Sequence, residues 1–416
     1  MTNNSVLLQQ AAAKDAADPL SAKKALFDLP SDMVYLDGNS LGPLTHTAKA
    51  RATEVVQQQW GRDLITSWNK HQWIDLPITV GNKIAKLIGA AEGQVICCDS
   101  ISVNLFKLLS AALTMRPKRS KVLSTVDNFP TDRYMVQGFA DSKLAPEVEL
   151  VSGDEAEIID LIDDSIAVVM LTQVNFKTGK RLNMREITEK AHQHGCLIIW
   201  DLAHSAGILP VELDACQADF AVGCGYKYLN GGPGAPAFIY VAERHQTQYR
   251  QPLQGWMGHA NPFTFDPDYQ APSSIKQNLV GTPSIVSMSL LDAALDSFEH
   301  TNMETIANKG LSLAEWFLSL LAQFELVNEF ESVGEFNREH SGAQVALHHP
   351  EAYAICQAWI AKGVIADFRA PNVLRVGFSP LFLSYADIVT AVERLADVMH
   401  STYYLNQEFQ IKHAVT

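Results

Sequence analysis

From about residue 80 the chain alternates short apolar runs with longer amphipathic stretches. "GNKIAKLIGA" has the 3.6-residue spacing of a helix, and "VICCD" reads as a strand. "SVNLFKLLSAAL" is again helical, "KVLSTV" a strand, and "PTDRYMVQGFA" a helix. "IAVVMLT" and "CLIIWD" are strands on either side of the helical "NMREITEKAHQHG", and "DFAVGC" and "AFIYV" follow as strands. Apolar strands alternating with amphipathic helices indicate a mainly parallel sheet covered by helices, an α/β fold.

Upstream, the first fifty residues are mixed, with short helical stretches around "DMVYLDGNSLGP". "AKARATEVVQQQWGRDLI" then has helical periodicity. A polar, proline-dotted stretch, "GHANPFTFDPDYQAPSS", interrupts the pattern near 258–274. Beyond "PSIVSMSLLDAALDSF" the tail mixes helices with strands such as "NVLRVGFS", a pattern expected of a smaller α+β C-terminal domain. With 416 residues, two domains are the natural expectation. There is no internal repeat and no low-complexity tract.

Composition narrows the classes of function. Thirty-two basic against 46 acidic side chains give a net charge of -14, which opposes binding to nucleic acid or to an anionic membrane. The opening "MTNNSVLLQQAAAKDAADPL" lacks the pattern of a signal peptide, and no apolar run reaches the roughly 20 residues of a membrane span. The six cysteines form no CxxC pair, so neither a disulfide framework nor a zinc site is expected. His192 and His194 read as a solvated pair at a helix end, not a metal site. The expected location is cytoplasmic.

In such sheets ligands bind at the carboxyl ends of the strands. Asp201, Ser100 and Ser102, Thr172, the "DNFPTD" loop and Lys227 all fall at such ends and should face one crevice. Taken singly they are unremarkable in type: Asp201 could be a strand-end cap and Lys227 a surface lysine. Lys227 differs in lying between Tyr226 and Tyr228, ahead of a glycine-rich stretch that would leave room for a ligand. A lysine among aromatics is expected to have a lowered pKa and to form Schiff bases. An aspartate 26 positions earlier, at the neighbouring strand end, could pair with a pyridinium nitrogen. Together they suit pyridoxal phosphate. Ser102, opening a helix, could take the phosphate, and Phe129 could stack on the ring.

"YLDGNSLGP", "NFPTDRY", "WDLAHSAG", "GYKYLNGGPG" and "GWMGH" occur in this order. Together they closely resemble the kynureninase family, pyridoxal phosphate enzymes of the aminotransferase fold, over about residues 30 to 400. The resemblance implies hydrolysis of L-kynurenine to anthranilate and L-alanine, with 3-hydroxykynurenine as a related substrate. It implies that Lys227 holds the cofactor, Asp201 pairs with its ring nitrogen and His204 lies beside it. Phe129 would stack on the ring, with Asp132 and Thr172 as further contacts. Ile101 and Ser102 would cradle the phosphate. Tyr226 would bind the phosphate and take part in proton transfer. Trp256 and Thr282 would reach the site from a neighbouring subunit, making a homodimer with shared active sites.

Ser40, Trp68 and Arg375 match positions near the substrate, Arg375 as a clamp for its α-carboxylate. Thr282 and Trp68 replace an asparagine and a histidine of some relatives, a change that leans toward L-kynurenine. The implied partition is a segment at 1–60 joining the small domain, a large cofactor domain at 61–300 and the small domain at 301–416. A cysteine desulfurase or an aminotransferase of the same fold is the alternative. The former needs a mobile nucleophilic cysteine, and beyond residue 224 only Cys356 is available, within a helical pattern.

Overall fold

The computed structural model describes residues 3–145 and 147–412. It divides into two compact units, Ala48–Phe176 with Arg181–Leu295, and Met1–Thr47 with Lys177–Lys180 and Asp296–Thr416. Both chain ends of the expected partition lie outside the described residues.

The larger unit is built on a seven-stranded sheet. From one edge the order is Val95–Cys97, Ala237–Val241, Phe220–Cys224, Leu197–Asp201, Ile166–Thr172, Lys121–Thr125 and Glu149–Gly153. All neighbours pair in parallel except those of Ala237–Val241, which runs antiparallel to both of its partners. Ile166–Thr172 lies inside the sheet and every one of its residues is buried, which explains its unbroken apolar sequence. Ile96, Leu108, Val168, Ile199, Val222 and Ile239 belong to one apolar core cluster. The helix Ile101–Met115 starts at Ser100, whose hydroxyl accepts from the Val103 amide at 3.4 Å. Pro130 opens Pro130–Asp141, a position where its missing N–H costs nothing.

The smaller unit carries a four-stranded antiparallel sheet in the order Asp367–Arg369, Val373–Gly377, Gln344–His348, Glu331–Ser332. Helices Asn3–Ala17 and Met303–Gln323 both pack on Tyr385–His400, whose start is fixed by a reciprocal Ser384–Asp387 capping box. The two-residue strand Val34–Tyr35, not foreseen from the sequence, pairs in parallel with Val364–Ile365.

Three details differ from the expected partition, the first being that residues 296–300 belong to the smaller unit. Residues 48–60 belong to the larger unit because Val55–Trp60 packs on Ile285–Ala294 and the Gln59 amide oxygen accepts from Trp73 Nε1 at 2.7 Å. Lys177–Lys180 belongs to the smaller unit, where the Gly179 carbonyl accepts from Gly342 N at 2.7 Å.

Candidate active site

Strand register sets the site. Thr172 lies opposite Asp201, so those two strands end in line, while Asp201 lies opposite Val222 and the next strand runs two residues further, to Cys224. Lys227 follows three residues beyond the end of Phe220–Cys224. Its Nζ lies 2.9 Å from His204 Nε2 and 5.8 Å from the centre of the Phe129 ring. The Tyr226 ring centre is 6.0 Å away. Phe129 is itself braced edge-on by Phe176 at 5.2 Å.

Two carboxyl groups lie buried beside this lysine. Asp201 is 2% exposed and its Oδ1 accepts from the Ala203 amide at 2.7 Å. Asp132 is fully buried, with Oδ2 accepting from Thr172 Oγ1 at 3.3 Å. Burial pushes both acids up; the Asp201 charge pushes Asp132 further, while the Ala203 amide and Lys227 pull Asp201 down. Asn128, inside the quoted loop but not singled out from the sequence, fixes this corner. Its Oδ1 accepts from Thr172 Oγ1 and from the Phe129 amide, and its Nδ2 donates to Ser124 Oγ at 2.9 Å.

The strand-end residues Thr172, Asp201, His204 and Lys227 are thus brought together with Phe129 and Asp132. Ile101 and Ser102 stand half-buried in the first turn of their helix, outside that hydrogen-bonded group. Trp256 is 41% exposed in a short 3-10 turn, stacked on Phe265 and edge-on to Phe263. Thr282 is exposed. Trp68 is half-buried against Trp73, with ring centres 5.9 Å apart.

One sequence expectation, the open glycine stretch, holds only in part, and one, the solvated histidine pair, needs correction. A Cβ on Gly223 would lie 2.3 Å from the Phe238 ring, and one on Gly231 would lie 2.7 Å from Leu291. Those two glycines admit protein neighbours, whereas a Cβ on Gly232 or Gly234 would meet nothing within 4 Å, so that part of the stretch after Lys227 does leave open space. His192 and His194 are not simply solvated, because they pair with Asp219 at 3.0 Å and Asp164 at 2.7 Å.

In the smaller unit Arg375 is 1% exposed, so the strand-like run around it is no solvated face. Its Nη2 donates to Asp367 and, at 2.9 Å, to Ser40 Oγ. Asp367, directly opposite Arg375 in register, also pairs with Arg369 Nε at 2.9 Å. With its amide turned to satisfy both ends, Asn39 accepts from Arg375 Nε at 3.0 Å and donates to Asp37 at 3.3 Å. Asp37, Asn39 and Asp367 escaped sequence reasoning, since only strand pairing brings them to Arg375.

The residues around Lys227 fit pyridoxal phosphate. One amine stands beside an aromatic face, and Asp132 Oδ1 is buried without a hydrogen-bond partner. The buried acids Asp132 and Asp201 together make an acidic corner that a cationic ring nitrogen would offset.

The family described as "Kynureninase C-terminal domain" matches residues 306–395. A kynureninase of Burkholderia pseudomallei (strain 1106a) is 44% identical over 413 residues, covering 98% of this chain and 99% of its own. One from Deinococcus radiodurans is 45% identical over 397 residues, covering 94% and 96%. Among solved structures, the cysteine desulfurase CsdA of Escherichia coli aligns with a TM-score of 0.74 at 17% identity, covering 91% of this chain and 98% of its own. The cystine C–S lyase C-DES, solved with its product cysteine persulfide, has a TM-score of 0.74 at 16% identity, covering 88% and 98%. The same lyase is also known with glycine covalently linked to its PLP cofactor. Those two likenesses are of fold alone. The near full-length relatives identify the chain as a member of the kynureninase family.

Proposed function

We propose that this protein hydrolyses the Cβ–Cγ bond of L-kynurenine with pyridoxal phosphate, taking up one water and releasing anthranilate and L-alanine. The observation that carries the reading is Lys227 Nζ, 2.9 Å from His204 Nε2 and beside the buried Asp132–Asp201 pair. Pyridoxal phosphate, when bound, supplies an electron sink for negative charge at the substrate's Cα and Cβ.

The chain's own residues do the rest. Lys227 would hold the cofactor at rest, and its free amine would remove the substrate's Cα proton. Asp201 would keep the ring nitrogen protonated, and His204, 2.9 Å from Lys227 Nζ, orients the lysine amine. Phe129 would stack on the ring, while Asp132, Thr172 and Asn128 would form its polar edge. Ile101 and Ser102 hold the phosphate. Tyr226 returns a proton to the departing alanine carbon. Arg375, with Ser40, takes the substrate α-carboxylate in a charge-assisted pair, and Trp68 lines the aromatic end. Trp256 and Thr282 serve the site of the second protomer in a homodimer. A cytoplasmic location is part of the same proposal. Among the described residues, no helix is long and apolar enough to cross a membrane.

Cysteine desulfurase chemistry is disfavoured by Cys356, which is fully buried in the helix Ala352–Ala361 with its thiol pushed well up by burial. Incubating the cofactor-loaded protein with L-kynurenine should give anthranilate fluorescence. Sulfide released from L-cysteine, with no anthranilate from L-kynurenine, would overturn the reading.

A further inference from the structure

Lys107 is the one fully buried lysine among the described residues, and the mechanism above does not use it. It sits in the second turn of the helix Ile101–Met115 and its side chain runs back toward the helix start. There its ammonium meets the Asp99 carboxylate, Asn104 Oδ1 at 3.2 Å and the Asn278 carbonyl at 2.6 Å. Those three acceptors match the three donors of an ammonium. Cys98 Sγ lies 3.7 Å away.

Asp99 is held at a φ of 50°, a left-handed conformation uncommon outside glycine, immediately before the helix cap Ser100. Asn104 Nδ2 also donates to the Cys98 carbonyl at 2.9 Å, and Tyr249 OH donates to Asn278 Oδ1 at 2.7 Å. Lys107 is therefore the hub that ties the turn at residues 98–100 to the 275–278 segment.

A buried cation at this place is unusual. Aligned peptide dipoles already make a helix start positive, so a cation there is opposed. A single carboxylate, Asp99, one-third exposed, is the counter-charge in contact with it. The pair is formally neutral, but Lys107 is fully buried while Asp99 is one-third exposed to screening water, so positive potential remains at the helix start, where a further anion would be favoured.

We propose that Lys107 is a positioning residue for the cofactor phosphate: it holds the turn at residues 98–102 in shape and adds positive potential beneath it. The inference rests on the reading that Ile101 and Ser102 receive the phosphate of pyridoxal phosphate. It predicts that Lys107 acts on the phosphate and not on the pyridine ring.

The test compares dissociation constants of the wild-type protein and Lys107→Met for pyridoxal phosphate and for pyridoxal, which lacks the phosphate. Competition by inorganic phosphate is measured alongside. Lys107→Met should weaken pyridoxal phosphate binding about tenfold or more, with pyridoxal affinity within about twofold of wild type and phosphate competition reduced. Lys107→Gln keeps the length and much of the hydrogen bonding but not the charge, and reads the same ratio should the Met variant not fold. Equal losses for both ligands, or no change in their ratio, would overturn the assignment. A wild-type protein that does not prefer pyridoxal phosphate over pyridoxal would instead refute the underlying phosphate site.

Discussion

Replacing Asp37 with Asn tests the charge balance around Arg375. Asp37 and Asp367 share a small volume with Arg369 and Arg375. Burial, and next the Asp367 charge, push Asp37 up to about 7 from 3.8, against the opposing pull of Ser40 and both arginines. Between about pH 4 and 7 the folded protein therefore keeps a proton that the unfolded chain has lost. Wild-type stability should fall as pH rises through that window. Each pH unit is worth about 1.4 kcal/mol, so the whole effect is at most roughly 4 kcal/mol. Asn resembles the protonated acid in shape and does not titrate. Urea unfolding of the two proteins should coincide near pH 4 and diverge toward pH 8, with Asp37→Asn the more stable by about 2–4 kcal/mol. A difference that stays constant from pH 4 to 8, or a wild type that is the more stable at pH 8, would refute this account of the cluster.

Asp219 carries the opposite sign. Burial would raise it, but hydrogen bonds from His192 and His245 hold it well below the usual carboxylate range. Arg244 and the Ile198 amide also donate to it, at 2.6 and 2.9 Å. Its stabilisation is complete above about pH 4 and fades as the pH falls toward the folded value. Asp219→Asn should cost about 3 kcal/mol at pH 7 and progressively less in acid, measured as urea midpoints against pH. At Gly255 an added Cβ would lie 1.9 Å from the Val280 carbonyl oxygen. Gly255→Ala should therefore shift the Trp256 turn and cost about 1–3 kcal/mol, with a change in tryptophan fluorescence; an unchanged unfolding midpoint and spectrum would count against that packing.

The elements legible in the sequence are those whose burial is one-sided or complete. Ile166–Thr172, buried at every position, is an unbroken apolar run. Glu149–Gly153 is an edge strand, mostly half-buried or exposed, and its mixed residues carry no such signal. Gln344–His348 and Asp367–Arg369 become visible only through their antiparallel pairing with Val373–Gly377. The site divides in the same way. Lys227 and Asp201 could be read as strand ends with matching chemistry, and the ordered motifs added the reaction. Asp367 could not, because its link to Arg375 is a cross-strand contact. Lys107 could not either: within "NLFKLLSAAL" it looks like the polar side of an amphipathic helix, and only the fold shows it at zero exposure.

The central claim is that Lys227 is the reactive amine of a kynurenine hydrolase. The most direct measurement is anthranilate formation from L-kynurenine by wild-type protein and Lys227→Ala, both loaded with pyridoxal phosphate to equal content, with L-alanine quantified in parallel. The account predicts one alanine per anthranilate from the wild type, and a rate at least about a thousandfold lower from the variant. Turnover by Lys227→Ala within about tenfold of wild type, or anthranilate without matching alanine, would contradict it.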